Sequence, residues 1–184
     1  LNKYAPGTAP KVLVPKSESL EISCDEGAGS RSEDRMPTLL QELLRNHSAK
    51  GNAGQFRIEV GTHIVHVIPT AVRSEKGVVE SQNSILETVI SLPSVDRSGV
   101  KALQLICAAL SDANGIRVIL GAAPWTNLTR YQDRTGATTG RARDILVHLL
   151  QNSGGRLSWQ LLYDPGLKMY ALNIHEIPER AHKN

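Results

Sequence analysis

Aromatic residues are scarce in this chain, where one Phe, two Trp and four Tyr make up 4% of 184 residues. Proteins that read single-stranded nucleic acid stack bases on aromatic faces, so no nucleic-acid partner is expected. A surplus of one charge is also missing. With 21 Lys and Arg against 18 Asp and Glu, the net charge is only +3, a weak attraction for polyanions. Two cysteines, Cys24 and Cys107, are too few for a disulfide framework or a zinc site. Two readings stay open for them. One is a single Cys24–Cys107 bridge in an oxidising compartment; the other makes Cys107 a small hydrophobe on the apolar side of a helix. The apolar runs are a few residues long, far below the roughly 20 that cross a bilayer, so membrane association is expected only through partners. The chain begins at Leu1 without a charged-then-apolar leader. A periplasmic or secreted protein with its signal removed is the expectation.

What the chain does contain is a near-repeat. Leu39-Leu40-Gln41-Glu42-Leu43-Leu44-Arg45-Asn46 is echoed by Ile145-Leu146-Val147-His148-Leu149-Leu150-Gln151-Asn152. Between them Leu105 to Leu110 leads through Asn114-Gly115 into Arg117 to Leu120. Units of helix then strand define an architecture before they define a reaction. Glu42 aligns with Ala108 and His148, so the apolar face is kept while the polar position varies.

Residues 1–19 carry Pro6, Gly7, Pro10 and Pro15 and read as an extended arm. Leu20, Ile22 and Cys24 alternate with polar residues as in a half-buried strand. A helix is expected from about Pro37, with proline in its first turn and an apolar stripe of Leu39, Leu40, Leu43 and Leu44. Phe56, Ile58 and Val60 line one strand face, and Ile64 to Ile68 returns until Pro69 ends it. Residues 73–84 read as a linker or hairpin tip. Val89 to Leu92 is a strand, Ser98 caps a helix with Val100, Leu103, Ile106, Cys107 and Leu110 on one face, and Asn114-Gly115 stops it. Leu128 to Asp133 reads as a strand, and Thr138 or Thr139 as the cap of the last helix. The hairpin of Leu157 to Tyr163 and Lys168 to Ile174 turns at Asp164-Pro165-Gly166. The fold class is therefore α+β, in two small modules with helices on one face of short mixed or antiparallel sheets. These are βαββ over residues 20–72 and βαββαββ over 85–178, with a charged tail at 179–184.

From Val89 to Leu150 the order is strand, helix, strand, strand, helix. It contains Ile90-Ser91-Leu92-Pro93, then Ala102-Leu103-Gln104-Leu105-Ile106, Asn114-Gly115-Ile116-Arg117-Val118 and Gly140-Arg141-Ala142-Arg143-Asp144-Ile145-Leu146. This pattern resembles the short N-terminal domain of secretins and TonB-dependent receptors, called STN, in which a small sheet is covered by two helices. The resemblance covers about half the chain and implies an envelope-facing protein interaction module. Residues 20–70 are similar to the ring-building domains of secretins, apart from their acidic loop.

Candidate chemistry is sparse. Asp144 and His148 stand at i and i+4 on the last helix, a spacing that serves a hydrolase or a surface pair, and no nucleophile accompanies them in sequence. His63 and His66 point to opposite faces of one strand, so no metal or other cofactor is expected. Gly51-Asn52-Ala53-Gly54 has the GxxG spacing of a nucleic-acid loop but leads into a strand. Arg141 and Arg143 fall in the first turn of a helix, where the macrodipole disfavours cations by about 0.3–1 kcal/mol each. With Arg130 they are candidates for an acidic partner. Trp125 is a candidate for a lid over the core or an interface anchor, and the loops around Trp125 and Tyr131 for a glycan or peptide site. The expected role is a non-enzymatic subunit that docks on a larger envelope complex. A glycan- or peptide-binding module near Trp125 is the alternative, and a small hydrolase the third.

Overall fold

The computed structural model describes residues 32–51, 54–61, 64–73, 78–133, 137–154, 156–164 and 166–177. The arm, Cys24 and the strand expected at Leu20 to Cys24 lie outside the described residues, as do His63, Arg134 and the charged tail. The protein is a mixed α/β fold of several short sheets and helices. It divides into two compact units, Leu1–Gln82 and Asn83–Asn184.

In the first unit, helix α1 spans Ser32–Ala49. It begins before the expected Pro37, which stands inside the helix and deletes one i→i−4 bond there. Gly51 ends the turn at φ 70°, with its N–H on the Ser48 carbonyl at 3.0 Å. Strand β1 (Gln55–Val60) pairs antiparallel with β2 (Val65–Arg73), and β2 with β3 (Val79–Ser81). Strand β2 does not stop at Pro69. The register shifts between Gln55 and Phe56, opposite Pro69, and such an irregularity accommodates a residue that cannot donate to the ladder. Residues 73–84, read as linker or hairpin tip, thus contain β3. Ile68 and Ala71 are buried while Phe56 and Val60 are exposed, so the apolar β1 face is only partly covered among the described residues.

The second unit opens with a 3-10 turn at Ile85–Glu87, capped by the Ser84 hydroxyl. Strand β4 (Val89–Leu92) sends Ile90 and Leu92 inward. The two-residue β5 (Arg97–Ser98) precedes α2 (Gly99–Asn114), whose Lys101 N–H donates to the Ser98 hydroxyl. Gly115 closes α2 at φ 63°, a left-handed conformation suited to glycine. Ser111 then ties helix to sheet: its hydroxyl donates to the Cys107 carbonyl and accepts from Val118 N–H in β6 (Arg117–Leu120).

After β6 the structure departs twice from the expected elements. Trp125–Arg130 is a short helix, α3, and only Gln132–Asp133 forms a strand, β7. Leu128 anchors α3 in the core, fully buried, while the residues on either side of it are exposed. Thr138 and Thr139 do not cap the last helix but belong to β8 (Thr138–Arg141), antiparallel to β4. Helix α4 (Ala142–Asn152) starts at once, without a side-chain cap. Its first N–H is met by the Thr88 carbonyl at 2.9 Å, so a neighbouring chain segment does the capping.

The hairpin of β9 (Leu157–Asp164) and β10 (Met169–Glu176) completes the unit. The Asp164 side chain accepts the N–H groups of Gly166 and Leu167, a local turn that needs no distant support. Strand β10 also runs parallel to β6, giving the order β6-β10-β9. Val118, Leu172 and Ile174 face the same side and join Leu103, Ile106, Leu110, Leu146 and Leu149 in one core. Burying each such side chain contributes about 1.5–3 kcal/mol. Among the described residues no helix is long and apolar enough to cross a membrane.

Candidate functional site

Arg141, the last residue of β8 rather than part of the first helical turn, and Arg143, in the first turn of α4, are tied into a charged cluster. Arg141 Nε lies 2.8 Å from Asp144 Oδ2, and its Nη1 lies 3.5 Å from Glu87 Oε2. Arg143 Nη1 is 3.3 Å from Glu87 Oε1, and Nε is 3.9 Å from Asp144 Oδ1. Two cations face two anions, which offsets the macrodipole penalty of placing arginine at a helix start. The Arg143 side chain is only 2% exposed. Arg143 is therefore an internal link between the 3-10 turn and α4, buried where a candidate for an acidic partner would be exposed. Arg141 is about half exposed.

The other candidates lie on or just after α3. Trp125 is 49% exposed at the start of α3. Arg130 is exposed at the end of the same helix, where a cation suits the dipole. Tyr131 packs partly against the core, and its phenol is raised above the ordinary value by desolvation and then by the Asp133 carboxylate.

A cleft of about 330 Å³ lies beside Asp144 in this unit, between β8, α2 and α4. Trp125, Arg130 and Tyr131 do not line it. Leu92, Ala102, Ile106, Ile145 and Leu149 give it apolar walls, and Thr138, Thr139, Asp144 and His148 add polar ones. Small residues create the space. Gly140 lies opposite Ile90 in the β4–β8 register, and a Cβ there would meet only Ile145 Cγ1, at 4.0 Å.

Arg97 and Asp133 also line the cleft. They face each other across the β5–β7 pair, with Arg97 Nε donating to Asp133 Oδ2 at 2.8 Å and side chains 2% and 3% exposed. Arg97 Nη1 donates to the Pro93 carbonyl at 2.6 Å. A buried pair at this distance reinforces the two-residue β5–β7 pairing. It follows from a pairing across 36 residues. The sequence carries no local sign of it, whereas a lone glycine in a short strand, Gly140, is the kind of signal that marks close approach or open space.

Asp144 and His148 both line the cleft, but each bonds elsewhere: Asp144 pairs with Arg141, and His148 Nε2 lies 3.0 Å from Asn152 Nδ2. The Thr139 hydroxyl bonds Ser91 at 2.8 Å. This arrangement is suited to binding an apolar group beside polar ones.

Cys107 is a free, buried thiol in α2. Burial pushes its pKa from 9.0 up to about 11, which suppresses the thiolate that exchange chemistry needs. Cys24, its possible disulfide partner, lies outside the described residues. In the native protein Cys107 should stay unmodified by iodoacetamide at pH 8, read by peptide mapping, and should react once guanidinium unfolds the chain. Because the folded pKa is raised, this thiol's contribution to stability is complete below pH 9 and is lost as pH rises through about 11. That loss approaches about 2–3 kcal/mol and should be smaller in Cys107→Ala, measured by urea titration at pH 8 and 10.5.

Comparison of the chain with protein-family models, with curated proteins and with solved structures found no match.

Proposed function

We propose that this protein is a non-enzymatic, extracytoplasmic assembly subunit that docks on a larger envelope complex by strand addition. In this reading the chain is built of two modules, and residues 85–178 form one of STN type. The order β4, α2, β6, α4 and the closing β9–β10 hairpin support it, together with helices packed on one face of the β6-β10-β9 sheet.

The outer position of β9 carries the proposal. This strand has eight residues without proline or lysine, and Leu162 and Tyr163 are exposed large hydrophobics. Over residues 160–163, pairing among the described residues is with β10 alone. An outer strand presents backbone N–H and C=O groups that template another strand, and main-chain bonds to such an edge are a general mode of recognition. No reacting group is needed.

The test is recovery of the protein from its native source in mild detergent, with identification of what accompanies it. Gln160→Lys with Leu162→Lys places two charges on exposed positions of the edge strand, a natural means of blocking strand addition. The double variant should fold as the parent does by circular dichroism and should recover at least tenfold less of the partner. Equal recovery would sink the edge as the docking element.

A further inference from the structure

We infer that the cleft between β8, α2 and α4 receives an extended peptide segment, taking one bulky apolar side chain against Ile106 and Leu149 and a backbone carbonyl on Arg97. The inference deepens the reading of the chain as an interaction module and rests on it. At about 330 Å³ the cleft is near the lower end of the roughly 300–1,000 Å³ of small-ligand sites, a scale suited to one side chain and its flanking backbone.

Arg97 determines what that backbone must offer. Its Nε and Nη1 are committed to Asp133 and Pro93, while Nη2 has no hydrogen bond among the described residues. A guanidinium carries five N–H donors, so this one retains capacity for an acceptor in the cleft it lines. The acceptor should be neutral. Both carboxylates of the lining are already paired, Asp133 with Arg97 and Asp144 with Arg141. A ligand carboxylate would meet no uncompensated cation there, whereas an amide carbonyl accepts the bond without needing one. Gly140 supplies the third element. Among the described residues the β4–β8 sheet has two strands, and Gly140 borders the cleft from β8, giving an extended segment backbone to lie against.

The probe is acetyl-Ser-Leu-Ser-amide, titrated into the ¹⁵N-labelled full chain and followed by amide shifts. Acetyl-Ser-Gly-Ser-amide and 4-methylpentanoate serve as comparisons. Saturable shifts at Gly140, Ile106 and Leu149 are expected with the leucine peptide, at least tenfold weaker with either comparison. Gly140→Val fills the cleft with a strand-compatible side chain and should weaken binding at least tenfold with an unchanged fold. Arg97→Lys should weaken it several-fold; if that variant does not fold, Gly140→Val still decides. No saturable binding, unchanged affinity in Gly140→Val, or equal binding of 4-methylpentanoate would overturn the assignment. Failure here with partner recovery through β9 intact removes the peptide cleft alone. Failed recovery with peptide binding intact removes the assembly reading instead.

Discussion

Arg97→Met should lower the stability of the Asn83–Asn184 unit by about 3–5 kcal/mol. The side chains of Arg97 and Asp133 are 2% and 3% exposed, so the substitution leaves a buried carboxylate without its guanidinium. The midpoint of thermal unfolding should fall by at least about 12 °C, since roughly 1 kcal/mol moves a domain of this size by 4–8 °C. Adding Asp133→Leu should restore most of the loss, because replacing both charges with apolar groups is often neutral or better. Both tryptophans of the chain, Trp125 and Trp159, lie in this unit, so tryptophan fluorescence during urea unfolding reports on it specifically. A single variant as stable as the parent would show that the pair does not hold β5 to β7.

Leu146→Ala should cost about 2–5 kcal/mol. Leu146 is fully buried in α4 and belongs to the core shared with α2 and the β6-β10-β9 sheet. Removing its branched end loses transfer energy and leaves a cavity that its neighbours fill only in part. Leu162→Ala on exposed β9 is the matched control and should change stability by no more than about 0.5 kcal/mol. Equal effects would mean that α4 does not form part of the core.

The elements legible in the sequence are those with local causes. Ser98 and Gly115 mark the ends of α2 by a side-chain cap and a left-handed glycine, both within one turn of the residues they terminate. The Asp164 turn fixes its hairpin in the same way. The misreadings share the opposite cause. Thr138–Arg141 looks like the approach to a helix, because β8 exists only by pairing with β4 some 50 residues earlier. The α4 start is capped by Thr88 from the same distant segment. Leu128 to Asp133 was too short for its period to separate helix from strand, and burial of Leu128 decided the matter. At the candidate site, Asp144 and His148 were visible as an i, i+4 pair, but the cleft they line was not. It requires Gly140, Ala102 and the Arg97–Asp133 pair, brought together by tertiary structure alone.

The same distinction applies to Arg141 and Arg143. Arg143 lies in the first turn of α4 and Arg141 just before it, where the helix dipole disfavours cations. The compensation comes from Glu87 and Asp144 within the unit, so it does not require an acidic partner.

Amide hydrogen exchange of β9, in the isolated chain and in the assembly recovered from its source, tests the central claim most directly. Strand addition predicts that amides within residues 160–163 gain protection in the assembly. Unchanged exchange along β9, with protection gained on another surface, would contradict it.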